Sequence, residues 1–384
     1  MVSQYGFPPE IWTIVFQMIS EDYHYDIKNV RLTCRIFEEL ATPFLLPRII
    51  CDPLSGSLTA LTAVSRHPVL SRSVREVFYV CTRFQSIKTL PEYKEALRTA
   101  YPFGEFDEPK SEEENLGLNT AFSDYSRYYN NQAAMESSGE VIACLCSALM
   151  RMPNIERITI SPNFEYELYD VLDDGLDSEM DDELDTYHYP KYFLEPYPAY
   201  NEAFLLMAHV LSLTGANIRE LGIEGDDDDC GHGVDGALFR GMSHLNLSHC
   251  YLERLRIHCI DGMFHISTRY ILGTKVWSRL TSLDFYSTTF DQGDFLDVLR
   301  RHSGTLKDIN LFCVHLTNGS WKTLLAGMKS SLSLQHISIE DPYEEDSNEE
   351  IYLNVDALRN YLFGDGPNPL SIEYLLNLQE ESVL

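Results

Sequence analysis

The side chains of this sequence best suited to chemistry are its 12 histidines, nine cysteines and 59 carboxylates, and two short stretches bring them closest together. HCYLERLRIHC (249–259) sets His249 and Cys250 ahead of His258 and Cys259. Leu252, Leu255 and Ile257 make the stretch between them a buried strand, which constrains ligands poorly for a tetrahedral zinc site. DDDDCGHG (226–233) offers oxygens for calcium but lacks the alternate carboxylates and closing glutamate of an EF-hand. Core thiols and surface histidines are the simpler account, so no metal is expected. No G-x-S-x-G, P-loop, H-E-x-x-H or kinase signature occurs. No residue is assigned to catalysis, no cofactor is expected, and the chain is not expected to be an enzyme.

The background supports a different kind of work. A chain of 384 residues that is 44% hydrophobic can bury a large core. Its net charge of −30 repels phosphates and anionic headgroups, so nucleic acid and membrane surfaces are not expected as partners. The longest apolar run, AFLLMAHVLSL (203–213), is shorter than the ~20 residues of a membrane helix, and no secretory signal pattern opens the chain. The cysteines include no CxxC pair, which fits reduced thiols in the cytoplasm or nucleus.

The elements that must present any binding surface begin at FPPEIWTIVFQMI (7–19). Pro8 and Pro9 suit the opening of a helix, and Ile11, Ile14, Val15, Met18 and Ile19 then fall on one wide apolar face. Asp26 is expected to cap a second helix carrying Ile27 and Val30. Thr33 is expected to cap a third, with Cys34, Phe37, Leu40 and Ala41, which Pro43 ends or bends. Three short helices cannot cover so many apolar side chains among themselves.

The run F-P-P-E-I-W-T-I-V-F-Q-M-I followed by D-I-K-N-V-R-L-T-C-R-I-F-E-E-L-A-T-P-F-L resembles the F-box, with Phe7 where leucine is commoner. The resemblance covers about residues 7–47. It implies docking to a Skp-family adaptor, and through it a cullin, in a ubiquitin ligase. It places Phe7, Pro8, Ile11, Ile14, Val30, Leu32, Cys34 and Phe37 at positions that contribute to the adaptor contact or to the packing of the trio. A plain helical cap on the following domain is the alternative.

Beyond residue 50 one phrase recurs, apolar-x-x-apolar-x-apolar: VREVFY (74–79), IERITI (155–160), IRELGI (218–223), LERLRI (252–257), LTSLDF (280–285), LKDINL (306–311) and LQHISI (334–339). The last four copies begin 28, 26 and 28 residues apart, the spacing of leucine-rich repeats. DFLDVLRRH, SWKTLLAGM, EVIACLCSALM and EAFLLMAHVL carry helical periodicity between phrases. The expected fold is therefore α/β: a short N-terminal helical domain (1–50), then an irregular leucine-rich-repeat-like solenoid (51–384) with parallel strands and insertions at about 82–139 and 161–201. LTSLDFYSTTF and LKDINLFCVHL resemble the repeat but carry Thr288 and Val314 in place of its asparagine. A doubly wound βαβ domain is the alternative, though no glycine-rich phosphate loop follows any phrase.

Alternation along each strand turns the pairs Glu76/Phe78, Arg157/Thr159, Glu220/Gly222, Arg254/Arg256, Ser282/Asp284, Asp308/Asn310 and His336/Ser338 outward. That face is nearly neutral, and Arg157, Arg254, Arg256, Asp284, Asn310 and His336 are its candidates for binding a target. The acidic excess falls in insertions, chiefly EYELYDVLDDGLDSEMDDELD (165–185), with shorter runs at 105–114, 226–229 and 340–350. Solvated loops or a lure for a basic partner would both account for them, and the aromatic-rich stretch 187–200 is a further candidate surface. Three functions are consistent with this layout. They are a substrate-recognition subunit of a Skp-cullin-F-box ligase with an unknown target, a binding scaffold without ligase connection, and an enzyme housed in the insertions.

Overall fold

A computed structural model describes residues 7–22, 24–100, 111–161, 197–224, 251–258, 276–344, 351 and 353–371. The acidic runs 165–185, 226–229 and 345–350, most of 105–114 and of 187–200, and the candidate ligands His249, Cys250 and Cys259 lie outside these residues. The chain divides into two compact units, Met1–Asn154 with Ser161–Ala199, and Ile155–Ile160 with Tyr200–Leu384. Residues 1–50 lie in the first of these.

In the first unit, α1 (Pro9–Asp22), α2 (His24–Arg31) and α3 (Arg35–Ala41) form the trio, closed by a 3-10 turn at Thr42–Phe44. Pro9 takes the first helical position, where a missing N–H costs nothing, and the Pro8 carbonyl accepts the first bonds from Ile11 and Trp12. Two expected caps differ. Asp26 sits within the first turn of α2, and Cys34 occupies the N-cap of α3. Thr33 instead donates its hydroxyl to the Val30 carbonyl, finishing α2. Strand β1 (Arg48–Cys51) pairs in parallel with β2 (Glu76–Val80), connected through α4 (Ser55–Arg66) and α5 (Leu70–Ser73).

The expected insertion 82–139 contributes two helices among its described residues, α6 (Leu90–Ala100) and the long α7 (Glu112–Ser138), around a small core of Tyr93, Leu97, Leu118 and Tyr125. Arg83 fastens α7 to the end of β2. Its guanidinium pairs with Glu136 and donates to Tyr79 Oη and to the carbonyls of Cys81 and Thr82. Burial opposes its charge, but Tyr79 and Glu136 outweigh burial and raise its pKa. Gly139, left-handed at φ 75°, ends α7 and opens α8 (Glu140–Arg151).

The second unit is built on six parallel strands in the order β3 (Arg157–Ser161), β4 (Glu220–Glu224), β5 (Arg254–His258), β6 (Ser282–Tyr286), β8 (Asp308–Phe312) and β10 (His336–Glu340). Each begins two residues into one of the repeated phrases. One face of every strand is core: Leu221, Leu255, Leu283, Ile309 and Ile337, then Ile223, Ile257, Phe285, Leu311 and Ile339, are all buried. Among the described residues, α9 (Tyr197–Thr214) lies between β3 and β4, α10 (Gln292–Arg301) between β6 and β8, α11 (Trp321–Ser331) between β8 and β10, and α12 (Val355–Phe363) follows β10.

The later repeats share a corner. Ser287, Cys313 and Asp341 follow β6, β8 and β10 with φ of 48°, 49° and 46°. The short strands β7 (Thr289–Asp291), β9 (His315–Thr317) and β11 (Tyr343–Glu344) follow, paired in parallel as a second sheet in the order β7-β9-β11. Asp291 and Ser320 then cap α10 and α11 by accepting from the N–H of Asp294 and Thr323. Thr288 and Val314, where a repeat asparagine would stand, are buried, and Thr288 Oγ1 has no hydrogen-bond partner. The backbone holds this corner instead, through His315 N–H donating to the Thr288 carbonyl.

Candidate functional site

Two surfaces collect the residues singled out in the sequence, one in each unit. The first is the helical trio. Its core is Phe16, Ile27 and Ala41, with Trp12, Val15, Ile19, Val30, Phe37 and Leu40 packed around them. The rings interlock: Trp12 and Phe37 lie 4.7 Å apart, Phe16 and Phe37 5.1 Å, and Phe7 meets Trp12 edge-on at 5.7 Å. The broad apolar stripe of α1 is thus divided lengthwise. Val15 and Ile19 turn inward, while Ile11, Ile14 and Met18 face outward at 42%, 54% and 60% exposure. Covering those three would be worth on the order of 1 kcal/mol apiece.

Of the eight residues matched to the F-box pattern, Phe7, Pro8, Ile11, Ile14 and Leu32 are exposed, Leu32 at 85%. Val30 and Phe37 pack into the trio's core. Cys34, half-buried, lines an open recess of 560 Å³ together with Lys28, Arg31, Leu32, Arg35 and Glu38. Three cations and one carboxylate line that recess in a chain whose net charge is strongly negative. Met18 and Ile36, also exposed, were not matched to the pattern. The i, i+3, i+7 spacing of Ile11, Ile14 and Met18 was the signal for Met18.

The second surface is the outward face of the second unit's sheet. Register lines up three rows across it. The first is Arg157, Glu220, Arg254, Ser282, Asp308 and His336. The next is Thr159, Gly222, Arg256, Asp284, Asn310 and Ser338, and the third, beginning at β4, is Glu224, His258, Tyr286, Phe312 and Glu340. One carboxylate oxygen of Glu220 accepts from both Arg157 (3.1 Å) and Arg254 (3.2 Å). Asp284 takes Arg256 at 3.3 Å and faces His258 at 3.6 Å. Burial acts to raise the Asp284 pKa, but hydrogen bonding and charge from His258 and then Arg256 prevail, so it stays below the ordinary aspartate value.

Thr159, Glu220, Gly222 and Ser282 on this face were expected outward and are buried, as are Glu76 and Phe78 in the first unit. The exposed part runs from β5 to β10. There the predicted residues Arg254, Arg256, Asp284 and Asn310 gather on neighbouring strands, while Arg157 shares Glu220 with Arg254 and His336 lies on the edge strand. Sequence reasoning missed the third row. Tyr286 and Phe312 stack at 4.6 Å with rings 8° apart, and the His258 ring lies 5.7 Å from Tyr286. These residues follow the last position of each repeated phrase, so continuing the two-residue alternation one step would have found them.

Among the described residues no cluster of histidine, cysteine or acidic side chains is arranged to hold a metal ion. His258, the described histidine of the 249–259 stretch, faces Asp284. No single helix there is long and apolar enough to cross a membrane. A scan against protein-family models and a search of curated proteins each found no match for the chain.

Proposed function

We propose that this chain is the substrate-recognition subunit of a Skp-cullin-F-box ubiquitin ligase. The trio, which resembles an F-box over residues 7–47, docks a Skp-family adaptor that carries a cullin. The repeats form a leucine-rich-repeat-like solenoid whose sheet face binds a target protein, in the cytoplasm or nucleus. The observation that carries this reading is a helical trio whose core closes on its own while Phe7, Ile11, Ile14 and Met18 remain exposed beside it. Exposed rows of large apolar side chains mark interaction sites. The chain's part in the reaction is proximity: holding a target lysine near the charged carrier raises its effective concentration without a catalytic side chain here.

The test is co-purification of the full chain with a Skp-family adaptor. Ile14→Asp should abolish capture and cost only about 1 kcal/mol of stability, because Ile14 is 54% exposed. Phe16→Ala should instead cost about 3–5 kcal/mol by opening a cavity in the trio, and thermal melts tell the two apart. A wild-type chain that captures no Skp-family adaptor would sink the proposal.

A further inference from the structure

The third row across the sheet of the second unit changes the charge of its outward face. The pairs legible in the sequence are nearly neutral, but the third row adds Glu224 and Glu340 and no lysine or arginine. From β3 to β10 three arginines then stand against five carboxylates. The imbalance is sharpest on β6, β8 and β10, whose outward residues include Asp284, Asp308 and Glu340 and no lysine or arginine. Asp284 is met from β5 by Arg256 and His258. Neither Asp308 nor Glu340 is in an ion pair, and the one histidine of these strands, His336, lies opposite Asp308 in register. One oxygen of Glu340 accepts from the Ser338 hydroxyl at 2.9 Å, which leaves the other for a ligand. Beside these carboxylates Tyr286 and Phe312 stack at 4.6 Å, each covering one face of the other. Because Tyr286 stands on β6, the second face of Phe312 is turned toward β10, where Glu340 is its partner in register. A ring face attracts a cation, and a guanidinium can lie flat on it while its edge meets a carboxylate.

We infer that this end of the sheet binds a basic segment of a target protein, with one arginine laid on Phe312 and reaching Glu340, and a second basic side chain at Asp308. Charge complementarity selects this occupant. An acidic or phosphorylated segment would be repelled by Asp308 and Glu340, and a purely apolar one would strip water from both without replacing it. Asp308 and Phe312 are four residues apart on β8, about 13 Å at ~3.3 Å per residue. The two basic residues of an extended ligand lying along that strand are therefore about four positions apart. The inference rests on reading the sheet as the target face and is independent of the adaptor contact.

The experiment uses fluorescence anisotropy of the full chain with a Gly-Ser peptide carrying two arginines four positions apart, and with its lysine and glutamate counterparts. The arginine peptide should bind tightest, the lysine peptide more weakly, and the glutamate peptide not at all. Glu340→Gln and Asp308→Asn should each weaken the arginine peptide roughly tenfold, the weight of a charge-assisted hydrogen bond. Glu112→Gln removes the same charge from an exposed position on α7 and should change nothing. Phe312→Leu should erase the preference for arginine over lysine. Thermal melts of each variant separate lost binding from lost fold, and two independent carboxylate variants keep the test intact if one of them unfolds. An equal loss with Glu112→Gln would mean that the peptide answers only the net charge of the chain, and would overturn the inference. So would binding that neither Glu340→Gln nor Asp308→Asn weakens, or a glutamate peptide that binds as tightly. Selective peptide binding without adaptor capture overturns the ligase reading alone, and adaptor capture without peptide selectivity overturns this inference alone.

Discussion

At the scale of single residues, His302 is a buried group with a definite chemical state. The Trp277 N–H donates to its Nε2, and its Nδ1 lies 2.9 Å from the Val298 carbonyl, an arrangement that fits a neutral imidazole carrying its proton on Nδ1. Burial lowers its pKa. The bond to Val298 opposes that shift and the charge of Arg301 adds to it. A depressed folded-state pKa means the stabilisation is complete above the ordinary histidine value of about 6.5 and drains away as pH falls through it toward the folded value. The wild-type melting temperature should therefore drop between pH 7 and pH 5 more than that of His302→Leu. The variant itself starts lower, because the Trp277 N–H loses its acceptor at a cost of about 1–3 kcal/mol. Equal slopes for the two proteins would refute this. Nothing in the sequence around His302 marked it, since its partner Trp277 lies 25 positions away.

At the scale of elements, the seven repeated phrases each became a parallel strand because their apolar positions alternate with a period only a strand can bury on one face. β1 escaped notice although LPRIIC (46–51) carries the same phrase, its closing apolar position being a cysteine and its second residue a proline. β7, β9 and β11 are shorter still, and they are set by the corner before them rather than by any pattern of their own. α7 went unread for a different reason: its 27 residues mix tyrosine, asparagine and serine with few aliphatic side chains, so no stripe stands out. The trio's third helix was read at the right place but with the wrong cap, because a threonine next to a helix start can equally finish the preceding helix.

The corners themselves yield an element-scale prediction. Ser287, Cys313 and Asp341 hold a left-handed backbone that glycine adopts without steric cost and a β-branched residue adopts badly. Cys313→Gly should change stability by less than about 1 kcal/mol, the relief of backbone strain offsetting the extra freedom of the unfolded chain. Cys313→Val should destabilise by roughly 1–3 kcal/mol. Urea unfolding separates the two, and a valine variant as stable as the glycine one would show that the corner does not impose the conformation.

At the scale of the whole molecule, the charge of −30 predicts a response to salt. Like charges on a compact chain repel, and screening relieves that repulsion within a Debye length that shrinks from about 30 Å at 0.01 M to about 3 Å at 1 M. Salt also weakens ion pairs such as Arg35–Glu39 and Arg98–Glu95, but exposed pairs of this kind contribute only about 0–1 kcal/mol each. The repulsive term is the larger, so the urea midpoint should rise between 10 mM and 500 mM sodium chloride. A midpoint that falls would mean that the ion pairs dominate.

A trio whose core is complete without a partner has one further consequence. Its outer row of Phe7, Ile11, Ile14 and Met18 is on display from the moment the helices form, whether or not anything is there to cover it. Other copies of the chain meet these same side chains. Self-association of the free chain would run through these four side chains, against the repulsion of a net charge of −30.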